Sequence, residues 1–468
     1  MRYASDSSLR VRRRRRLRIF LAALVVAGLA FAGAGALRVG PAPAIVVRPE
    51  PAVIGRATAV EVTVSEPVRG LSRVRIELEQ EGRAELLAER SFAPLPGWKP
   101  SGEKTPTWNW PLEIGKNARP ELREGEATLR ITAERAPAWL RAGEPAVREI
   151  RLPVKLTPPQ LALVSTQHYV AQGGCEVVVY RVGATSVRDG VEVGDWFFPG
   201  WPLPGGGATD RFALFAVPYD VSDPAAVRLV AADDAGNQRT SAFVDQFFPH
   251  PPASEVIELE DDFLARVVPS ILAGAHDLRD KGNLLENYLQ INGDLRRANA
   301  AALRELAGKS RPEFLWRGAF LALPGGQVMS SFADRRAYQY QGRKVDQQVH
   351  LGYDLASVAH APVPAGNRGV VVMARDFGIY GNTVVLDHGY GLMSLYAHLS
   401  EIAVREGDEV ERAQRIGTSG ATGLAAGDHL HFSFLLRGLP VRPAEWWDSH
   451  WIQDRLKRKL GAVLPFEG

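Results

Sequence analysis

A multidomain, mainly β protein is predicted from three features of the sequence. Its 468 residues exceed what one hydrophobic core ordinarily organises. Apolar residues alternate at period two over most of the chain, which is the signature of half-buried strands. Glycine (45) and proline (32) punctuate those runs as short strands and tight turns require. The expected order is an amino-terminal membrane segment, two β-sandwich regions, a helical connector and a carboxy-terminal antiparallel-β domain.

Residues 1–40 form the first segment. The first eighteen residues hold eight arginines and one aspartate, a net of +7 against +3 for the whole chain, so the remainder carries −4. The apolar run Ile19 to Leu37 follows, about the length that spans a bilayer core as a helix. Its basic flank predicts a cytoplasmic amino terminus and export of everything beyond Leu37. Ala34-Gly35-Ala36 also fits a small-x-small cleavage site, so a cleaved signal peptide is the alternative. No lipidation cysteine follows the run, which argues against a lipoprotein.

Residues 41–155 alternate in strand fashion, in "TAVEVTVSE", "SRVRIELEQ", "EATLRITAE" and "VREIRLPVKL", and predict a small β-sandwich. Residues 156–250 repeat the pattern in "CEVVVYRV", "RFALFAVPYD" and "VRLVAADDAGNQ". The last phrase resembles the late strand and turn of bacterial immunoglobulin-like domains. Within this region "GDWFFPGWPLPGGG", Gly194 to Gly207, reads either as an exposed binding loop or as a packed loop between strands. Pro251-Pro252 breaks the pattern, and 251–318 reads as a helical connector, with apolar positions three to four apart across 254–308. Pro269 and Gly293 are expected to end or kink elements there. Residues 319–448 return to short strands and tight turns, and the tail 449–468 looks helical.

Charge and cysteine content narrow the function. A mildly acidic body gives no support to nucleic-acid binding. A single cysteine, Cys175, supplies neither an intramolecular disulfide nor a thiolate metal cluster, and reads as a buried apolar residue in a strand. Histidines tell more, since five of the ten lie in distinctive settings between His350 and His431. In "HLHFSFLL" a strand would point His429 and His431 to one side. In "HLGYDLAS", if that is a strand, His350, Gly352 and Asp354 share a face, with Gly352 leaving room between imidazole and carboxylate. Two nitrogens and a carboxylate with an open fourth position form a common catalytic zinc set. His398 should close a strand in "LMSLYAHLS", whereas His388, beside Gly389 and Gly391, reads as a structural turn residue.

These stretches, with "SSFADRR", "APVPAGNRGVVV", "REGDEVERAQRIGTSGATG" and "GLPVRPAEWW", resemble the lysostaphin-like (LytM-type) zinc metallopeptidases of bacterial cell walls over about Val328 to Trp447. The resemblance implies one Zn2+ per chain on His350, Asp354 and His431, with His398 and His429 as the catalytic pair that does not bind metal. It implies an endopeptidase acting on peptidoglycan. In two places the chain departs from the family pattern: Ala333 stands where a glycine often follows Phe332, and Asp428 where a proline often precedes the HLH. The acid at 428 is expected to affect substrate preference or imidazole pKa. A tyrosine that assists catalysis in some members has three candidates, Tyr338, Tyr340 and Tyr353. Export by a basic-flanked anchor puts the bulk of a single-pass inner-membrane protein in the periplasm, or frees it there after cleavage. A regulatory protein partner would meet the helical or β-sandwich regions. The competing function is a catalytically silent relative that binds wall or activates another hydrolase.

Overall fold

The computed structural model describes residues 6–37, 41–96, 99, 102–138, 141–275 and 278–467. Helix α1 (Asp6–Leu37) carries a 21-residue stretch, Arg13–Gly33, with a mean hydropathy of 1.8 and none of it buried. By length and composition it can cross a membrane as an anchor or serve as a signal sequence. Its window begins among the arginines, earlier than the apolar run alone suggests.

The chain divides into two compact units, Met1–Pro158 with Asp234–Asn237, and Pro159–Asp233 with Gln238–Gly468. In the first, Arg83–Ser91, Leu71–Gln80, Gly125–Arg135 and Ala146–Val154 form a four-stranded sheet in that order. Ala44–Arg48, Thr58–Ser65 and Thr107–Ile114 form a second. Val60, Val62 and Val64 alternate inward from one sheet and Val74, Ile76, Leu129 and Ile131 from the other, into one apolar cluster. Period-two patterning therefore sets which face of each strand is buried.

The second unit begins with two four-stranded sheets. One contains Cys175–Val182 and Asp210–Ala216 at its centre, the other Arg188–Val193 and Val227–Ala232. Cys175 is buried in its strand as a free thiol. Their apolar faces are continuous with the carboxy-terminal sheet: Phe212 stacks on Phe314, and both contact Tyr390. The aromatic stretch is packed rather than free, since Trp196–Pro199 and Trp201–Pro202 are strands and Trp201 meets Tyr390 edge-on.

Residues 254–308 are not wholly helical. Ser254–Glu258 is a strand that pairs in parallel with Asp334–Tyr340, which pairs in turn with Arg343–His350. Helices α2 (Asp261–Gly274), α3 (Leu284–Gln290) and α4 (Arg296–Leu306) follow. Pro269 lies inside α2 and does not end it. Both Pro269 and Ala265, whose carbonyl loses its partner, are exposed, so water can take the missing bond. Gly293 sits in a π-helical turn, Ile291–Leu295, between α3 and α4. These helices bury Leu264, Val267, Val268, Tyr288 and Ile291 against Tyr338 and Ile379.

The main carboxy-terminal sheet runs Gln327–Ser330, Tyr353–Ala356, Leu430–Leu436, Leu392–Leu399, Asn382–Gly389, Gly369–Asp376 and Glu409–Val410. Leu430–Leu436, Leu392–Leu399 and Asn382–Gly389 have almost every residue buried, as central strands covered on both faces require. Helix α5 (Pro443–Trp447) packs on this sheet through Trp446, which meets Trp316 and Phe434.

Candidate metal centre

Sheet pairing brings the polar residues together. Asp354 lies opposite His431 between adjacent strands, and His431 lies opposite Ala397 on its other side. His350 ends the strand Arg343–His350. The chain leaves the ladder at Leu351 and Gly352, so His350 and Asp354 belong to two strands, not to one face of a single strand. Gly352 makes room for a different group from the one its sequence position suggests: a Cβ there would stand 2.7 Å from the ring of His431.

The three donors converge. His350 Nε2 lies 3.0 Å from Asp354 Oδ1 and 3.1 Å from His431 Nδ1, and His431 Nδ1 lies 2.9 Å from Asp354 Oδ1. Outer partners fix the tautomers. His350 Nδ1–H donates to the Ser331 carbonyl at 3.0 Å. Ser433 Oγ donates to the Leu351 carbonyl at 2.7 Å, so at 3.0 Å it accepts from His431 Nε2–H. Both inward nitrogens therefore present lone pairs to a carboxylate oxygen, an arrangement that repels itself unless a cation or proton lies among them. A triangle with sides of 2.9 to 3.1 Å is close to the about 3.3 Å that separates donors about 2.0–2.1 Å from a tetrahedral zinc. The residues present thus fit a metal ion.

The surroundings are polarised. Arg336 Nη2 donates to Asp354 Oδ2 at 2.8 Å. Burial works to raise the Asp354 carboxyl, but the three imidazoles facing it outweigh that and hold it well below the usual carboxylate range. Burial pulls His431 down to about 4.

His398 and His429 flank the group, their ring centroids 4.9 Å apart and His398 5.8 Å from His431. His398 closes its strand at φ 61°, in the left-handed region, and donates from Nδ1 to the Thr422 carbonyl at 2.8 Å. His429 donates from Nδ1 to the Gly427 carbonyl at 2.8 Å, and its Nε2 lies 3.5 Å from Asp354 Oδ1. Burial, reinforced by His429 and His431, pulls His398 down to about 3. For His429 burial acts downward, yet the Asp354 carboxylate turns the net shift upward. Each ring thus carries its proton on the outer nitrogen and turns its free one inward.

Other expectations come out differently. His388 is buried in a strand, not on a turn, held by the Arg368 carbonyl at 2.8 Å and Ser394 Oγ at 2.7 Å. Asp428 faces away from the histidines, accepting from Ser419 Oγ at 2.6 Å and the His360 amide at 3.0 Å. Ala333 has φ 70°, which explains why glycine suits that position. Of the three tyrosines, Tyr353 packs on Trp447, Tyr340 bonds Asp261 at the surface, and Tyr338, beside Tyr288 under the helices, lines the cavity over the triad. The tyrosine against the triad is Tyr380, its ring centroid 5.6 Å from that of His431. Burial raises its phenol, and Arg296 opposes the rise. Tyr380 opens "YGNTVVLDHGYGLMSLYAHLS", a stretch that carries the resemblance, though nothing there singles the tyrosine out; Arg336 could have been found within "SSFADRR".

A β domain with this histidine–aspartate constellation defines the class, a metallopeptidase domain, and residues 348–443 match the peptidase family M23 model. The carboxy-terminal part of the chain is an M23 (LytM-type) domain. The peptidoglycan DD-endopeptidase ShyA of Vibrio cholerae is 35% identical over 162 residues, 35% of this chain and 35% of that protein. The peptidoglycan DD-endopeptidase ShyB of the same organism is 38% identical over 115 residues, 25% of this chain and 26% of that protein. The similarity thus spans about a third or less of those relatives. A crystal structure of a peptidase M23 from Pseudomonas aeruginosa aligns with a TM-score of 0.36 and 21% identity, covering 61% of this chain and 96% of that one.

Proposed function

We propose that the chain is an exported zinc metalloendopeptidase that hydrolyses peptide bonds in peptidoglycan stem peptides or cross-links. The observation that carries this reading is the convergence of two imidazole lone pairs and a carboxylate within an M23 domain. His350, Asp354 and His431 would hold one zinc per chain. When bound, zinc supplies Lewis acidity and lowers the pKa of a coordinated water to about 7. The inward nitrogen of His398 or His429 takes a proton from the attacking oxygen and returns it to the leaving amine. The other imidazole, once protonated on its inward nitrogen, donates to the oxyanion of the tetrahedral stage. No side-chain nucleophile is required.

The remaining regions carry the reaction to its substrate. Helix α1 holds the protein in the inner membrane as a single-pass anchor with the bulk in the periplasm, or is removed as a signal. Residues 41–155 and 156–250 act as immunoglobulin-like regions that space the enzyme from the membrane or meet a protein partner. The connector 251–318 limits access to the zinc, a role supported by the contacts of α2 and α3 with the cavity over the triad.

The test is digestion of purified sacculi by the full chain and by Asp354→Ala, with released fragments identified by mass spectrometry. Peptide-bond products from the native protein alone are expected. No products from the native protein would leave the second reading, a silent wall-binding or hydrolase-activating relative.

A further inference from the structure

The metal triad lies between two cavities. One, about 320 Å3, opens under α2 and α3 towards Arg336. The other, about 530 Å3, is walled by Trp196, Tyr219, Arg304 and Gln348. Four side chains line both: Arg296, His350, Tyr380 and His431. A peptide cut at the triad would extend into a cavity on each side and pass Arg296, the one guanidinium or ammonium among the described residues that line both.

The charges nearby have partners. Arg336 is paired with Asp354 at 2.8 Å and Glu255 at 3.3 Å, and Arg304 stacks over Trp196 at 4.3 Å. Arg296 differs. Its Nη2 and Nε bond only neutral Asn292, at 2.6 and 3.2 Å, and among the described residues no carboxylate comes within 4.0 Å of it. Its Nη1 makes no hydrogen bond within the described chain. The mount is rigid, because Asn292 is fully buried and donates to Asp346 at 2.7 Å. Asp220, an exposed acid on the second cavity, does not reach it. A half-buried, pre-positioned guanidinium with unused donors suits a carboxylate ligand.

We propose that Arg296 binds a free carboxylate of the wall peptide beside the scissile bond and so selects carboxylate-bearing stems over amidated ones. This rests on the peptidase reading above and deepens it. Arg296 belongs to α4, outside the residues that match the M23 model, so the specificity device lies in the preceding helices.

The experiment titrates the full chain, in detergent, with an uncross-linked stem peptide ending in a free carboxylate and with its carboxamide. Zinc content is recorded for every variant. The native protein should bind the carboxylate about 10-fold more tightly, as a charge-assisted bond at a half-exposed site would give. Arg296→Gln should bind both peptides at the carboxamide affinity with zinc unchanged, and Arg296→Lys should recover part of the preference. Equal binding of both peptides by the native protein, or an undiminished preference in Arg296→Gln, would overturn the proposal. So would an equal loss of affinity for both peptides. A native protein that keeps the preference but releases nothing from sacculi would sustain the role of Arg296 and overturn the endopeptidase reading instead.

Discussion

His429 and His431 are two residues apart, yet their outer partners separate them. His431 is tied back by Ser433 and turns Nδ1 to Asp354, whereas His429 is tied to the Gly427 carbonyl and stands at 3.5 Å. Replacing His431 by alanine should remove zinc and activity together. His429→Ala should retain zinc while turnover falls about 10²- to 10⁴-fold, mainly in kcat. Zinc content paired with hydrolysis of a cross-linked peptide decides it; zinc lost from the His429 variant but kept by the other would reverse the assignment. Ser433→Ala should weaken zinc binding about 10- to 100-fold by freeing the His431 ring, measured by competition with a chelator. The four histidines and the aspartate that stand out in the sequence lie close together in the fold; they stand out because rare residue types at fixed spacing are visible in one dimension. Their supports were not visible. The carbonyls of Ser331, Thr422 and Gly427 look like any other peptide group, Tyr380 sits unmarked inside a motif-bearing stretch, and Arg296 reaches the cavity from a helix outside it.

At the scale of elements, alternation identified strands well where they are long and half-buried. It failed at Ser254–Glu258, five residues too short to show a period before α2 begins. That strand also bears on the connector. A chain starting after the helices would strip a strand from Asp334–Tyr340, so a point change is the cleaner probe of access. Arg266 on α2 donates to the Ala425 and Ala426 carbonyls, at 3.3 and 2.9 Å, across the cavity over the triad. Arg266→Ala should raise the rate on polymeric sacculi several-fold; an unchanged rate would leave the helices only a spacer. A second device joins Cys175–Val182 to α5. The Cys175 amide donates to Glu445 Oε2 at 2.7 Å, and burial raises the Glu445 carboxyl to about 8. Because the folded value exceeds the ordinary one, the stability it contributes is complete below about pH 4.5 and is lost as pH rises through about 8. Glu445→Gln should flatten part of that loss, on the order of 1 kcal/mol per pH unit, in urea midpoints compared at pH 5 and pH 8.5. An identical slope in the variant would remove Glu445 from the account.

Over the whole molecule, charge and hydropathy are divided unequally. The arginines and the apolar helix occupy the first residues, and the remainder of the chain is acidic. A reporter fused after Gly468 should be active only in a form that works outside the cytoplasm, and activity confined to a cytoplasmic form would refute the topology. The sequence could not show that residues 159–233 share a core with the carboxy-terminal sheet, since continuity between buried faces arises only once both are folded. One contact in that core has a bearing on time. Trp316, before the sheet begins, lies against Phe466, 150 residues later, with ring centroids 6.4 Å apart. During synthesis His350, Asp354 and His431 all emerge before Phe466, which packs against Trp316. Final closure must wait for residue 466, and contacts of such sequence separation form slowly. If the chain is exported and cuts peptide bonds as proposed, that delay keeps the fold around its site unfinished until residue 466 has left the ribosome.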